Sequence, residues 1–270
     1  MRLSEAAAIL AEAGIEEARW EARKIFADVG KIPTTALIGN DAECDAPEVR
    51  EALLRRAKRE PLQYILGYAD FYRERYKVTE SVLIPREDTE CLVDFAVKNL
   101  PPGARFLDLC TGSGCIAIST LKNTSDTNCV LADISDAALD IARENAEENG
   151  VSERAEFLRL DVTKEKIEGK FDAILSNPPY VTEKSYESLA PEIYFEPKIA
   201  FVGGGEDGAS FYEIITGLYR DSLTDGGFIA FEIGYDQRCA VEEIAKRHNM
   251  TCEMLRDLGG IWRVAVLRAK

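Results

Sequence analysis

The sequence predicts a doubly wound α/β domain behind a small bundle of helices. Three observations carry that expectation. From about residue 103 onward, short apolar runs alternate with amphipathic stretches, the pattern of strand and crossover helix. Several of those runs end in a carboxylate or a stiff turn (Asp133, Asp161, Asn177-Pro178-Pro179-Tyr180), and open α/β sheets place ligands at strand carboxyl ends. The first sixty or so residues carry helical spacing and no convincing strand.

At the start of the chain, Leu3, Ala7, Leu10 and Ala11 recur at helical spacing until Gly14. Trp20, Ile25 and Phe26 mark a second helix from Glu16, closed by Gly30, and Lys31-Ile32-Pro33-Thr34 reads as a loop. A third helix starts at Pro47, a residue suited to the first helical turn, and runs to about Arg59. It carries Arg50, Arg55, Arg56, Lys58 and Arg59 against Glu48, Glu51 and Glu60. A solvated helix face is the plainer reading of that charge; a docking face for an acidic partner is the sharper one.

Between Pro61 and Pro85, Tyr64-Ile65-Leu66-Gly67, Phe71-Tyr72 and Tyr76-Lys77-Val78 are aromatic and β-branched, which predicts a short hairpin. Ile84-Pro85-Arg86-Glu87-Asp88-Thr89-Glu90 leads into a helix ending near Leu100, with Thr89 or Asp88 as its cap. The expected division is a helical docking domain over 1–60, a hairpin linker over 61–83 and the α/β domain over 84–270.

In the α/β domain, strands are expected over 105–109, 129–133, 156–160, 171–176 and 228–233, the last following the Asp225-Gly226-Gly227 turn. Helices fall over 116–121, 136–149, 210–223 and 237–247. Two last strands, Met250 to Arg256 and Trp262 to Arg268, flank Gly259-Gly260. No internal repeat or low-complexity segment interrupts the pattern.

Composition narrows the chemistry. Hydrophobic residues make up 46% and charged residues 30% of the 270, as in an ordinary globular protein with a real core. No apolar run reaches membrane-spanning length, and the start of the chain lacks a signal-peptide pattern. The 7 cysteines include no C-x-x-C pair and read as reduced thiols, which points to the cytoplasm. A single histidine, His248, removes most of the expectation of zinc or His-based triads, and no metal is expected. A net charge of −15 argues against a general DNA or RNA binder, because phosphate contacts dominate such affinity.

Asn177-Pro178-Pro179-Tyr180 is the most informative stretch. Two prolines stop the preceding apolar strand, since they bring no amide hydrogen to a ladder. The turn then offers a side-chain amide, proline carbonyls and an aromatic face. Such a set can hold a planar amino group: the Asn oxygen and a Pro carbonyl accept its two hydrogens while Tyr180 stacks on it.

A second ligand feature lies upstream. The strand at 105–109 runs into Asp108-Leu109-Cys110-Thr111-Gly112-Ser113-Gly114, a glycine turn that lets a ligand approach the backbone. The dinucleotide fingerprint is degenerate here, with Cys110 in place of its first glycine, and no lysine follows to make a triphosphate loop. Asp133 can accept from both hydroxyls of a ribose, and Asp161 from an adenine amino group. Either acid alone reads as a turn or cap residue; together, beside the glycine turn, they describe a nucleoside pocket without a phosphate tail. S-adenosylmethionine fits that demand.

The glycine turn, Asp133 and Asn177-Pro178-Pro179-Tyr180 resemble a class I S-adenosylmethionine-dependent methyltransferase acting on a planar amino group. Three further stretches narrow the resemblance to the HemK/PrmC family: the 84–90 stretch, Glu196-Pro197-Lys198-Ile199-Ala200-Phe201 with Gly204-Gly205-Glu206-Asp207-Gly208, and Phe231-Glu232-Ile233-Gly234. It covers essentially the whole chain, including Pro61-Leu62-Gln63-Tyr64-Ile65-Leu66-Gly67.

It implies a mostly parallel sheet with an antiparallel strand at the C-terminal end. It also implies methyl transfer to the side-chain amide nitrogen of the glutamine in the Gly-Gly-Gln motif of peptide-chain release factors. Asn177, Pro178, Pro179 and Tyr180 would hold that amide, with Phe71 as the opposite wall. Cys110, Thr111, Gly112, Ser113, Gly114, Asp133, Asp161, Val162 and Asn177 would bind the cofactor.

The chain departs from the family pattern at Cys110, where glycine is usual, at Val162, where an aromatic is common, and at Glu87, where proline is common. A ribosomal-protein glutamine or a nucleic-acid base remains an alternative target. A non-catalytic sensor of the cofactor is a third reading, opposed by the intact Asn177 and prolines.

Overall fold

A computed structural model describes all residues from 1 to 270 and divides them into two compact units. The first comprises Met1–Tyr68 together with Ala190–Phe195; the second comprises Ala69–Leu189 and Glu196–Lys270.

The first unit is helical. Its elements are α1 (Leu3–Glu12), α2 (Ala18–Asp28), α3 (Thr34–Leu37), α4 (Pro47–Ala57) and α5 (Leu62–Leu66). Residues three and four apart share a helix face, so Leu3, Ala6 and Leu10 of α1, Ala22, Ile25 and Phe26 of α2, and Val49, Ala52 and Leu53 of α4 bury one common core. Gly30 can only be glycine, since a β-carbon there would sit 2.6 Å from the Phe26 carbonyl oxygen.

The basic charge of α4 is largely consumed inside this unit. Arg56 pairs with Glu21 at 2.5 Å and with Glu192 at 3.0 Å, Arg59 with Glu192 at 2.8 Å, and Arg55 Nε donates to Glu60 at 2.8 Å. Pro191–Phe195 forms a 3₁₀ turn, and Glu192 on it meets both arginines.

The second unit opens with a hairpin, β1 (Tyr68–Phe71) and β2 (Glu74–Lys77), whose first residue still belongs to the helical unit. Tyr72 and Arg73 both take positive φ, 48° and 69°, which gives the two-residue turn the twist a hairpin needs. Then follow α6 (Glu90–Asn99), β3 (Arg105–Leu109), α7 (Cys115–Lys122), β4 (Asn128–Asp133), α8 (Asp136–Glu148), β5 (Ala155–Arg159) and β6 (Phe171–Ser176). After α9 (Glu183–Tyr186) come α10 (Ser210–Tyr219), β7 (Leu223–Glu232), α11 (Arg238–Arg247), β8 (Met250–Arg256) and β9 (Trp262–Ala269). No helix is long and apolar enough to cross a membrane.

Seven strands form one sheet in the order β5-β4-β3-β6-β7-β9-β8. Pairing is parallel from β5 through β7, and β9 runs antiparallel to both its neighbours. This is the doubly wound, mostly parallel architecture expected. Successive side chains point to opposite faces, and both faces are covered. Phe106, Leu131, Leu175 and Phe228 join the core on one side; Leu107, Val130, Ile174 and Ile229 join the other. The chain runs from β3 to β4 on one side and returns to β6 on the other, so the crevice beside β3 lies at the carboxyl ends of all three strands.

Several boundaries differ from expectation; α10, expected to reach Leu223, ends at Tyr219. The helix α4 stops at Ala57, two residues early, because Arg59 takes φ 73°. The strand β5 ends at Arg159, so Asp161 lies beyond it rather than at its tip. The expected turn at Asp225-Gly226-Gly227 is an irregularity inside β7, which already begins at Leu223, opposite Phe171. The bulge is braced by Asp172, whose carboxylate accepts from Arg105 N at 2.9 Å and from the Thr224 hydroxyl at 2.8 Å.

The ion pair inside the helical unit yields a prediction. Arg56→Ala strands Glu21, whose side chain is only 12% exposed, and is expected to destabilise the protein by about 3–5 kcal/mol in urea unfolding. Breaking the open Lys77–Glu144 pair in the same assay is expected to cost less than about 1 kcal/mol.

Candidate active site

A cavity of about 250 Å³ opens at the carboxyl ends of β3, β4 and β6. From the turn after β3 it is bordered by Cys110 and Gly112, from the end of β4 by Asp133, and from the turn after β6 by Asn177 and Pro179. Leu160, Asp161 and Val162 add a further wall. Leu83, Pro197 and Ile199 lie at its rim, where Glu196 ties two segments together by accepting from Ile84 N at 2.9 Å and pairing with Arg86.

The glycine turn is built to expose backbone. Gly112 has φ 54°, and nothing lies within 4 Å of where its β-carbon would be. Gly114 takes φ 80° at the start of α7, and a β-carbon there would crowd Ile118 at 2.9 Å. Cys110 adopts φ 60°, a left-handed conformation that costs a residue with a side chain about 1–2 kcal/mol. The geometry explains why glycine suits this position, and Cys110 borders the cavity.

Asp133 is held rather than free. Gly112 N donates to its Oδ2 at 2.9 Å and Ser135 N to its Oδ1 at 3.0 Å. Burial raises its pKa and these backbone donors oppose that rise. Asp161 contrasts with it: Lys164 and Thr163 bond its carboxylate and hold its pKa down at about 2.

Asn177-Pro178-Pro179-Tyr180 forms a clamped corner. The Ser176 hydroxyl donates to the Leu109 carbonyl at 2.6 Å and fixes the end of β6 to the end of β3. Beyond the corner, Val181 N donates to Phe201 O at 2.7 Å, and Gly203 N to Val181 O at 3.1 Å. A β-carbon at Gly203 or Gly208 would overlap the carbonyl oxygens of Pro179 and Tyr180. Gln237 spans the loop and the corner, its Nε2 donating to Tyr180 O at 2.9 Å and Asp207 O at 2.8 Å.

The cavity therefore brings together Cys110, Gly112, Asp133, Asp161, Val162, Asn177 and Pro179. Thr111 turns inward, its hydroxyl donating to Asp108, and Ser113 and Gly114 lie behind the turn. Pro178 is buried. Tyr180 points its hydroxyl to Glu232 Oε1 at 3.2 Å, away from the cavity. Phe71 does not border this cavity: it packs into the core with its ring 5.9 Å from that of Tyr76, because strand alternation directs it inward.

Thr89 also differs from its expected role. It stands before α6 with φ −67° and makes no side-chain cap. Its hydroxyl instead donates to Glu232 Oε2, and Asn177 Nδ2 donates to the Thr89 hydroxyl oxygen at 3.4 Å. Glu232 escaped the reading of residue roles although its signal was present: a carboxylate ending an apolar strand in Phe231-Glu232-Ile233-Gly234.

Residues 88–206 match the family model of the methyltransferase small domain, and residues 2–67 match that of the PrmC N-terminal domain. A release factor glutamine methyltransferase from Geobacter sulfurreducens is 37% identical over 261 residues, covering 94% of this chain and 91% of that protein. The chain belongs to the release factor glutamine methyltransferase family.

A second member of the family, from Agrobacterium fabrum, is 34% identical and covers 96% of this chain and 93% of its own. The fold is shared with a methyltransferase structure from Pyrococcus furiosus at a TM-score of 0.55 and 18% identity, covering 72% of this chain and 89% of that one. The chain is an S-adenosylmethionine-dependent methyltransferase of class I fold. The residues present fit that cofactor: a carboxylate held at the end of β4, open backbone at Gly112, and aliphatic walls at Leu160 and Val162.

Beneath the cavity, Asp108 is fully buried. Thr111 and Ala117 N donate to Oδ2, Oδ1 has no partner, and burial pushes its pKa up to about 7. An acid raised on folding stabilises the fold below its unfolded pKa, and that contribution is lost as pH rises through the folded value. The contribution of Asp108 to stability is therefore expected to fall between about pH 4 and pH 7, and Asp108→Asn is expected to remove that fall, read as the difference from the parent in urea unfolding across the range.

Proposed function

We propose that this chain methylates the side-chain amide nitrogen of a glutamine in peptide-chain release factors, the glutamine of the Gly-Gly-Gln motif. One observation carries the reading: Asn177, on a proline-stiffened corner, borders the same cavity as Asp133. The names of the Geobacter and Agrobacterium relatives support release factors as substrate.

When bound, S-adenosylmethionine supplies an electrophilic methyl on a sulfonium. Asp133 would accept from the ribose hydroxyls, and Gly112 would let the ligand approach its backbone. Asn177 Oδ1 and the Pro178 carbonyl would accept the two amide hydrogens of the substrate glutamine. That grip turns the nitrogen toward the cavity. An amide nitrogen is a poor nucleophile, so positioning must supply the advantage; holding reactants in attack geometry is worth roughly 7–11 kcal/mol. Partial negative charge on both acceptor oxygens also favours the positive charge that develops on the nitrogen, which then loses its proton to water.

Pro179 stiffens the corner, and Tyr180, tied to Glu232, anchors it. Residues 1–60 are proposed to dock the release factor body, and such a substrate places the reaction in the cytoplasm.

Incubation with purified release factor and the methyl donor, read by mass spectrometry, is expected to add a single methyl to that glutamine. DNA offered in parallel is expected to remain unmodified, in keeping with the net charge of −15, and ribosomal protein likewise, in keeping with the names of the relatives. Asn177→Ala is expected to lose transfer by about a hundredfold or more while calorimetry finds cofactor binding intact. Asp133→Ala is expected to weaken cofactor binding by at least about tenfold, since a charge-assisted hydrogen bond is lost; unchanged binding would mean that the cofactor lies elsewhere.

A further inference from the structure

Glu232 ends β7 with its carboxylate buried, and the reaction proposed above asks no proton of it. Its two oxygens are each taken by a hydroxyl: Oε2 by Thr89 and Oε1 by Tyr180 at 3.2 Å. Burial raises the pKa of Glu232, and the two hydroxyls and Arg263, itself paired with Asp88 at 2.9 Å, oppose that rise. Toward both hydroxyls the carboxylate is the acceptor.

That restriction passes along the chain of contacts. A hydroxyl has one hydrogen, and Thr89 donates it to Glu232. Toward its other neighbour Thr89 can therefore only accept, and that neighbour is the side-chain amide of Asn177, 3.4 Å away. The two orientations of an asparagine amide have nearly the same shape, so hydrogen bonds choose between them. An accepting Thr89 selects the orientation with the NH₂ toward itself and Oδ1 on the opposite side. In the other orientation an NH₂ would meet the NH₂ of a substrate amide, donor against donor.

We infer that Glu232 and Thr89 are positioning residues that set the amide orientation of Asn177, so that its oxygen is what a substrate nitrogen meets. The inference rests on the reading of Asn177 as the group that grips the amide. Glu232 serves the corner twice, since the same carboxylate holds the Tyr180 hydroxyl. It thus ties the first and last residues of Asn177-Pro178-Pro179-Tyr180 to β7.

The test uses the full chain with release factor as substrate, at saturating methyl donor, with cofactor affinity measured separately by calorimetry. Thr89→Val keeps the shape and removes the hydroxyl. It is expected to lower kcat about 10- to 30-fold with cofactor affinity changed by less than about twofold. Thr89→Ser, which restores the hydroxyl, is expected to recover kcat to within about threefold of the parent.

Glu232→Gln leaves one acceptor oxygen for two hydroxyls and is expected to slow turnover similarly. Combined with Thr89→Val it is expected to cost little more than Glu232→Gln alone, because the effect of Thr89 on the amide runs through that carboxylate. Full turnover in Thr89→Val, failure of serine to rescue, additive losses in the double variant, or loss of cofactor binding in Thr89→Val would each overturn the inference. Asn177→Ala separates the two levels. If that variant turns over normally, the parent reading fails; if it is inactive while Thr89→Val is fully active, only the orientation device fails.

Discussion

Proline has no amide hydrogen to give to a ladder, and two prolines in succession end β6 at Ser176. Much of the site depends on that interruption. The stop occurs in the middle of the sheet, beside β3, where the strand order turns back on itself. The chain cannot continue as strand, so it folds into a corner whose amide side chain borders the cavity. A corner held only by its prolines would still swing. Here it is fastened at its start by the Ser176 hydroxyl on Leu109, and flanked by two glycines that leave no room for a β-carbon. Gln237 and Glu232 fasten its end. Rigidity of this kind suits a reaction in which placing a weak nucleophile supplies most of the advantage.

Four carboxylates around this corner show how environment divides one functional group among different tasks. Asp108 lies fully buried with one oxygen unpartnered, and burial favours its neutral form. Asp133 is half-buried, and backbone amides from two turns converge on it and leave an acceptor at the cavity wall. Asp161 borders the cavity half-buried, engaged by Lys164 and Thr163, so its hydrogen-bonding capacity is already partly satisfied. Glu232 is buried and faces two hydroxyls. Sequence identifies all four as acids; only their surroundings separate them.

The helical unit shows the same principle with charge of the opposite sign. Five basic residues in and just after α4 read as a docking face when counted along the sequence. In the folded unit, Glu21, Glu60 and Glu192 engage three of them, and the side chain of Arg56 is only 8% exposed. Glu192 lies more than a hundred residues downstream of α4, on the short stretch that returns to this unit. No local pattern could pair it with Arg56. A charge run is a statement about composition until its neighbours are known.

The succession of strands and helices along the chain, the glycine turn after β3 and the proline stop at residue 177 were legible in the sequence, because each follows from local rules: apolar periodicity, proline at a strand end, glycine where the backbone must turn. The amino-acid sequence by itself therefore determined the class of fold, and the motifs carried the resemblance to the family. Tertiary structure alone decided which motif residues share a cavity. Phe71, Tyr180 and Thr111 turn to other partners, while Leu160, Pro197 and Ile199 complete the wall. It also decided that Thr89 serves Glu232 instead of capping α6. The physical reason is range. Backbone preferences act over a few residues, whereas the hydrogen bond from Thr89 to Glu232 joins positions 143 apart and exists only once the sheet has brought them together.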